Sequence, residues 1–370
     1  MSPWSAARPG DPVDAIETPA LVLDLDAFER NLRTMAQAVA GTGLRLRPHA
    51  KSHKTPEIAR RQIAAGAVGI CCQKVSEAAV FVEAGITDVL VTNEVVGRSR
   101  LERLARLAGR ARIGVLVDHP EQVRALAEAV AAVGTQIEVY IELNVGGRCG
   151  VAPGAPVLDL ARQAAASAGL RLTGLQVYHG PAQHMRSPAD RAAAIARAAR
   201  TAREMRALIE AEGLGRLRIT GAGTGTFGHE RDSGVFDELQ PGSYVFMDRD
   251  YADNTPGDGE SRFEHALFVR STVMSRPSAD RAVVDAGLKA SSVDSGMPTV
   301  WRAPGLRYLK ASDEHGVIEV GEGAGLALGD ALWLVPGHCD PTVNLYDELV
   351  CVRGDRVEAV WPVSARGASL

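Results

Sequence analysis

The sequence contains little cysteine, few aromatic residues and no long apolar run. Of its 370 residues, five are cysteine and 5% are aromatic, although 46% are hydrophobic. Cys71 and Cys72 are adjacent and the cysteine count is odd, so we expect no disulfide framework and a reducing compartment. A bilayer-spanning helix needs about 20 consecutive apolar residues, and no stretch approaches that length. These absences exclude a small disulfide-stapled domain and predict a protein that does not enter a membrane.

Charge of one sign is also lacking. The formal net charge is −4, from 41 basic and 45 acidic residues that are interspersed along the chain. We therefore expect neither nucleic acid nor an anionic membrane surface as a partner. The segment 1–14 lacks the basic and then apolar pattern of a secretory signal. A cytoplasmic location is the resulting expectation, and a globular enzyme is the class that fits this composition.

Short apolar runs alternate with helical stretches rich in Ala, Arg and Glu as far as about Asp253. Strands are predicted at Ala20–Leu25, Leu44–His49, Gly69–Gln73, Asp88–Thr92, Ile113–Asp118, Ile137–Leu143, Leu172–Tyr178, Leu217–Thr220 and Leu239–Met247. Helices are predicted at Ala27–Val39, Pro56–Ala65, Ser76–Ala84, Leu101–Ala108, Pro120–Val133, Pro156–Ala168 and Ala189–Glu212. Because parallel strands need a helical crossover, this pattern predicts an α/β fold with a (βα)8 TIM-like barrel. Ala20–Leu25 precedes the regular repeat and is predicted to lie outside the barrel.

The pattern changes after the polar stretch Asn254–Ser261, which has the composition of a linker. From there, strand-like segments between glycine turns replace the helices. Such segments are Ala266–Met274, Arg281–Asp285, Leu332–Pro336, Glu348–Val352 and Val357–Pro362. We predict a barrel over residues 16–253 and a smaller, mostly β domain over residues 254–370, with residues 1–15 packed beside the β domain.

Lys51 lies just past a predicted barrel strand, where the active sites of such barrels lie. It is flanked by His49, His53 and Lys54. A neighbouring cation such as Lys54 disfavours a second positive charge, so it is expected to lower the pKa of Lys51 toward the neutral amine of a Schiff-base lysine. The alternative is an ordinary surface lysine.

Two further strand ends carry groups suited to an anionic ligand. The loop Gly221–Thr226 follows a late strand, and its glycines allow close approach of the backbone to a phosphate. Arg148 lies among the glycines of Gly146–Gly150 and is a permanent donor to an oxyanion. The alternatives are a plain tight loop and a turn arginine paired with an acidic neighbour.

Histidines and a carboxylate provide candidates for metal binding and proton transfer. His338 and Asp340 are predicted on the same side of an extended strand, with Cys339 pointing away, and such an N,O pair suits Zn, Mn or similar ions. A solvated surface pair is the alternative. His184, after the seventh strand with Tyr178, is a candidate acid–base group.

The order of several segments resembles a known family. The segments are Thr18–Asp26, Arg47–Lys51, Gly147–Gly150 and Pro336–Thr342. They resemble the alanine-racemase-like (fold-type III) pyridoxal-phosphate enzymes and, among these, the D-threonine aldolase/D-serine dehydratase group. Four more stretches resemble the 3-hydroxyaspartate enzymes, both the aldolase and the D-threo-3-hydroxyaspartate dehydratase. These are Cys71–Ala78, Val284–Lys289, Asp313–Val317 and Trp361–Gly367.

The resemblance implies pyridoxal 5'-phosphate (PLP) and a divalent metal (Mn, Mg, Zn or Co) as cofactors. Lys51 matches the lysine that forms the Schiff base, and Arg148 the arginine near the phenolic oxygen of the cofactor. The other implied cofactor-binding residues are Gln73, Tyr178, Gly223, Thr224 and Gln240. His338 and Asp340 match the metal pair that holds the cation at the substrate's β-hydroxyl. A homodimer is also implied.

One departure from the racemases concerns Gln240-Pro241-Gly242, where alanine racemases carry Arg-x-Gly. That arginine faces the pyridine nitrogen, whereas Gln240 is neutral and can donate a hydrogen bond, so the partner of this nitrogen stays open. The catalytic tyrosine of the racemases has no clear match in the β domain, which argues against racemisation.

The resemblance implies a lyase acting on D- or erythro-β-hydroxy-α-amino acids. Retro-aldol cleavage of a 3-hydroxyaspartate- or D-threonine-type substrate to glycine and an aldehyde is favoured. Dehydration of D-threo-3-hydroxyaspartate or D-serine is the alternative, and a non-catalytic PLP carrier is a lesser one. We expect His184 to act as the base and His53 to contact the substrate or its hydroxyl.

Overall fold

The computed structural model describes residues 5–257 and 259–370. Two sheets organise this part of the chain. One has eight parallel strands and the other has nine mostly antiparallel strands. We call the second sheet and its loops the β domain.

The barrel has the predicted eight strands. They are β2 (Arg45–Leu46), β3 (Ile70–Cys72), β4 (Asp88–Glu94), β5 (Arg112–Val117), β6 (Ile137–Glu142), β7 (Leu170–Val177), β8 (Arg218–Gly221) and β9 (Glu238–Leu239). They pair in the order β2-β9-β8-β7-β6-β5-β4-β3, and a parallel bridge between His49 and Cys71 joins the two ends. The predicted TIM-like barrel is confirmed.

In the described part of the chain, nine helices accompany the barrel strands; the first seven correspond to the predicted helices, and the last two, which are short, were not predicted. The nine are α1 (Leu25–Val39), α2 (Pro56–Ala64), α3 (Val75–Glu83), α4 (Arg98–Leu107), α5 (Pro120–Val133), α6 (Ala155–Ala166), α7 (Pro188–Ala211), α8 (Phe227–Asp232) and α9 (Arg249–Ala252). Three of them begin with proline, whose missing N–H costs nothing in the first turn. Asp24 caps α1 by accepting a hydrogen bond from the Ala27 N–H (3.1 Å).

The prediction of one long strand at Leu239–Met247 was wrong. β9 ends at Leu239, and a short 3₁₀ helix follows at Ser243–Val245. Pro241 has no N–H to continue the sheet, and a side chain on Gly242 would lie 2.9 Å from the carbonyl oxygen of His49. The chain therefore turns across the barrel mouth here.

The β domain contains β1 and all strands after the barrel. They are β1 (Ala20–Asp24), β10 (Leu267–Ser278), β11 (Arg281–Val284), β12 (Thr299–Val300), β13 (Leu306–Ala311), β14 (Gly316–Val320), β15 (Ala331–Val335), β16 (Glu348–Arg353) and β17 (Arg356–Pro362), with a short helix α10 (Cys339–Val343). β1 pairs antiparallel with β10 and parallel with β16, which confirms that it lies outside the barrel. The strands β12, β13 and β14 were not predicted.

The chain start also packs on the β domain. The N–H of Gly10 donates to the Val357 carbonyl (2.8 Å), and that of Val13 to Asp355 (2.9 Å). Residues 1–4, which belong to the same prediction, lie outside the described residues. The domain boundaries themselves stay a prediction.

A loop of the β domain lies against the barrel mouth. The N–H groups of Arg249 and Asp250 donate to the carbonyls of Pro336 (3.1 Å) and Gly337 (3.2 Å). The carboxylate of Asp248 accepts from the Cys339 N–H (3.0 Å). These bonds bring the segment after β15 to the carboxyl ends of the barrel strands.

All five cysteines are free thiols. In residues 5–257 and 259–370, no helix combines the length and apolar character needed to cross a bilayer.

Candidate active site

Lys51 lies at the barrel mouth and meets the β domain there. It follows β2 in a short 3₁₀ helix, Ala50–Ser52, and its Nζ forms an ion pair with the carboxylate of Asp340. A cavity opens beside Lys51. It is lined by His49, Lys51, Gln73, Thr92, Glu142, Arg148, Gln176, Tyr178, Ala222, Gly223, Thr224, Gln240, Gly242, Ser243 and Tyr251. All seven predicted cofactor-binding residues line this one cavity.

The charge of Lys51 differs from the expectation. Burial has the largest single effect and lowers the pKa of Lys51, but Asp340, Tyr178 and Glu77 together raise it by more, so the pKa lies above its usual value. Lys51 correspondingly holds the pKa of Asp340 low against the effect of burial. The predicted lowering of the Lys51 pKa was wrong, and the Lys54 ammonium is paired with Glu77 (3.2 Å). Lys51 therefore rests as an ammonium paired with Asp340.

The loop after β8 has the features of a phosphate site. The hydroxyl of Thr224 is buried and has no hydrogen-bond partner among the described residues. Gly223 leaves no room for a side chain, since a Cβ there would lie 2.4 Å from Oε1 of Gln183. A buried hydroxyl without a partner is costly, and a phosphate oxygen would satisfy it. The loop fits the phosphate of PLP.

A neutral amide pair, Gln176 and Gln240, lines the same cavity. Gln240 Nε2 donates to Gln176 Oε1 (2.9 Å) and to Thr220 Oγ1 (2.7 Å), while Gln176 Nε2 donates to Gln240 Oε1 (3.0 Å). Both amides are buried. Each NH2 group carries two hydrogens, so Gln176 keeps one for a ligand whereas both of Gln240 are used. The departure from arginine at Gln240 thus leaves a neutral environment, and the available donor is on Gln176.

Arg148 lies near Glu142, a carboxylic acid whose pKa is raised. Burial and a hydrogen bond with Glu94 raise the pKa of Glu142 to about 9, with Arg148 opposing the rise. A protonated Glu142 leaves the Arg148 charge available to an oxyanion such as the phenolic oxygen of PLP.

His49 and Thr92 complete the floor of the cavity. His49 Nε2 lies 2.8 Å from Thr92 Oγ1. Burial lowers the pKa of His49 well below its usual value, so the imidazole is neutral. A neutral ring beside Lys51 avoids a second positive charge at the point where the cofactor would bind.

His338 and Asp340 come together at the mouth, but not through strand alternation as predicted. His338 is the N-cap residue of α10, so the two side chains meet across a helix start, with His338 Nε2 4.0 Å from Asp340 Oδ1. Cys339 between them is fully buried. Within the described residues, no group of three or more His, Cys, Asp or Glu side chains is arranged to hold a metal. The pair fits a divalent ion as two N,O ligands with open positions.

His184 lies next to the cavity rather than among its lining residues. Its Nδ1 is 2.5 Å from Asp250 Oδ2, and its ring stacks on Tyr251 at 5.8 Å between centroids. Asp250 also accepts a hydrogen bond from Arg186 (2.6 Å). The carboxylate fixes the ring with Nε2 free, as a base requires.

His53 is a core residue. It is fully buried, its Nδ1 accepts from the Thr55 N–H (3.1 Å), and its ring packs edge-on against Phe81. Burial lowers its pKa to about 3. It does not line the cavity. This position gives no support to the predicted substrate contact.

Sequence reasoning missed several residues of the site. Gln176, Thr92 and Tyr251 line the cavity, and Asp294 contacts His338. Gln176 could have been predicted, because it is a polar residue near the end of an otherwise apolar strand. Thr92 lies near the end of β4 and Tyr251 in α9, and each has several polar neighbours in sequence, so the sequence provided no means of choosing between them.

Comparisons with known proteins agree with this geometry. The model of the alanine racemase N-terminal domain matches residues 23–250, and that of the putative serine dehydratase domain matches residues 266–352. The first match alone covers more than half of the chain. The chain belongs to the alanine-racemase-like family.

Three aldolases are among the proteins to which this chain is similar. The D-threonine aldolase of Arthrobacter sp. is 50% identical over 365 residues, covering 98% of this chain and 96% of the relative. The 3-hydroxy-D-aspartate aldolase of Paracoccus denitrificans (strain Pd 1222) is 46% identical over 368 residues, covering 98% and 95%. The crystal structure of D-threonine aldolase from Filomicrobium marinum superposes with a TM-score of 0.97 at 53% identity, covering 99% and 100%. This alanine-racemase-like protein is a PLP-dependent lyase.

Proposed function

We propose that this protein uses a divalent metal ion together with PLP to cleave D-configured β-hydroxy-α-amino acids by a retro-aldol reaction. The substrates are of the D-threonine or 3-hydroxyaspartate type, and the products are glycine and an aldehyde. The observation that carries the proposal is the contact between Lys51 and Asp340, because it joins the Schiff-base lysine to the metal pair.

The cofactor-binding residues divide by what they would hold. Thr224 and the Gly223 backbone would bind the phosphate, and Arg148 the phenolic oxygen. Gln176 would donate to the pyridine nitrogen, and Tyr178 and Gln73 would border the ring. When bound, PLP withdraws electrons from the substrate Cα, and a divalent ion at His338 and Asp340 lowers the pKa of the β-hydroxyl.

His184 would accept the β-hydroxyl proton at Nε2. Its Nδ1 is occupied by Asp250, which fixes the tautomer and stabilises the positive charge that the ring gains. Lys51 Nζ would hold the cofactor in the resting enzyme. Once freed by the substrate amine, it can carry a proton to or from Cα.

Dehydration is the second candidate, because the same residues would serve it. There Lys51 would take the Cα proton and the metal pair would assist departure of the hydroxyl. The family match to a putative serine dehydratase domain over residues 266–352 favours this alternative. A non-catalytic PLP carrier, the lesser alternative, does not agree with the lyase relatives, and the pair His338 and Asp340 would have no role in it.

Product analysis tests the proposal. The purified protein with PLP and Mn²⁺ is incubated with D-threonine, both 3-hydroxyaspartate diastereomers and D-serine, with Lys51→Ala as the blank. We expect glycine with acetaldehyde or glyoxylate. A 2-keto acid with ammonia, and no glycine, would establish dehydration instead. Activity that survives EDTA treatment would remove the metal from the proposal.

A homodimer and a cytoplasmic location are part of the same proposal, and light scattering of the purified protein measures the oligomeric state.

A further inference from the structure

His338 is held from behind by a second carboxylate. Asp294 Oδ2 lies 2.8 Å from His338 Nδ1, on the opposite side of the ring from Nε2. Nε2 is the nitrogen that faces Asp340. When a neutral imidazole carries its proton on Nδ1, Nε2 has the lone pair that a metal ion needs.

Asp294 is itself fixed in place. Ser292 Oγ donates to its Oδ1 (2.8 Å), and Ser295 Oγ donates to its Oδ2 (3.1 Å). The Ser292 N–H donates to Thr342 Oγ1 (3.1 Å), and this hydroxyl donates to the carbonyl of His338 (2.8 Å). The loop of Asp294 is therefore joined to His338 in two ways: by the contact between the two side chains, and by the hydrogen bonds through Thr342.

The backbones also meet closely. A Cβ on Gly337 would lie 2.1 Å from the carbonyl oxygen of Gly296, so the two chain segments touch directly beside the His338–Asp294 pair. A surface ion pair between two mobile side chains would need none of this support. These contacts hold the His338 imidazole in one orientation.

We propose that Asp294 is a positioning residue that fixes the Nδ1–H tautomer of His338 and presents Nε2 to the divalent ion. The inference rests on the proposed metal site at His338 and Asp340. Carboxylates that hold the far nitrogen of a ligating histidine set its orientation and basicity, and their loss weakens metal binding by about 10–100-fold.

Direct measurement of metal affinity tests this role. Free Mn²⁺ is quantified by electron paramagnetic resonance during titration of the PLP-loaded wild type, Asp294→Ala and Asp294→Asn. We expect Asp294→Ala to bind Mn²⁺ about 10–100-fold more weakly. Asp294→Asn keeps an oxygen acceptor for Nδ1–H and should recover much of the loss. Saturating Mn²⁺ should restore kcat in both variants while the Mn²⁺ concentration for half-activation stays raised.

Glu322→Gln is the matched control, since it removes one exposed carboxylate from the same domain. PLP absorbance reports whether each variant keeps an intact cofactor site. Mn²⁺ affinity within about two-fold of wild type in Asp294→Ala, with PLP bound, overturns the inference, as does a wild type that binds no Mn²⁺. If Mn²⁺ affinity falls as expected but no glycine is formed by the wild type, the proposed reaction fails and the role of Asp294 stands.

Discussion

At the residue scale, the pKa of Lys51 is set by a residue distant in sequence. Nearby cations in the sequence suggested a lowered pKa, but Lys54 pairs with Glu77, and Asp340 from the β domain raises the pKa of Lys51. The resting ammonium must lose its proton before it can act as a nucleophile, because the neutral amine is the reactive form. A metal ion on Asp340 would remove part of that stabilisation.

Asp340→Asn tests this electrostatic coupling. The substitution removes the negative charge that stabilises the ammonium, so the pKa of Lys51 should fall and the neutral amine should form at lower pH. The rate of PLP association with the metal-free apoprotein, measured by absorbance across the alkaline pH range, should have its midpoint at a lower pH than in the wild type. Asp313→Asn, at an exposed carboxyl, should leave the midpoint unchanged. An unshifted midpoint in Asp340→Asn would contradict the assignment.

At the element scale, the residues that form turns and helix starts determine where the strands end. Pro241 and Gly242 ended a strand that apolar composition alone extended to Met247, and the N-cap position of His338 replaced a strand that alternation predicted. An apolar pattern indicates that residues are buried, but residues in a 3₁₀ helix or at a helix start can be buried as well. The pattern alone therefore did not identify a strand. The long helices, whose periodicity extends over several turns, were predicted to within one to three residues, as α1 and α7 show.

Helix α8 carries a buried acid whose titration should be visible in stability. Burial raises the pKa of Glu230 to about 8, although its hydrogen bond from Thr226 (2.8 Å) lowers it in part. The folded state therefore keeps a proton that the unfolded chain loses near pH 4.3, so this stabilising contribution decreases as pH rises from about 4.5 to 8. Relative to Glu230→Gln, the wild type should lose about 1.4 kcal/mol of unfolding free energy per pH unit in that window. Urea midpoints of both proteins at pH 5.5 and 7.5 measure this, and parallel behaviour would refute it.

At the scale of the whole molecule, the active site exists because two domains share it. Lys51 and His184 come from the barrel, whereas His338, Asp340 and Asp294 come from the β domain. β1 reinforces this union, since it precedes the barrel in sequence but pairs with β10 and β16. Neither half holds the full set of groups that the proposed reaction needs.

Asp248 tests the junction between the domains. It is fully buried and accepts from the N–H groups of Cys339 (3.0 Å) and Tyr251 (3.0 Å). Asp248→Ala leaves both donors without this partner, which should cost about 1–3 kcal/mol of stability per unsatisfied group and displace the His338 loop. We expect a lower Tm together with weaker Mn²⁺ binding. A lower Tm with unchanged Mn²⁺ affinity would show that the His338 loop keeps its position without Asp248.

The sequence by itself determined the barrel, the second β domain and the position of every predicted cofactor-binding residue around one cavity. Lys51, Arg148 and the loop Gly221–Thr226 could be placed there because the strand ends of a parallel barrel converge on one rim, whereas the family resemblance supplied the other residues. The tertiary structure decided what depends on distance between remote segments. It set the charge of Lys51 through Asp340, it gave the free amide donor to Gln176 rather than Gln240, and it buried His53 in the core. It also brought Asp294 behind His338. Charge, hydrogen bonding and burial act over a few ångströms in space, and the sequence does not display those distances.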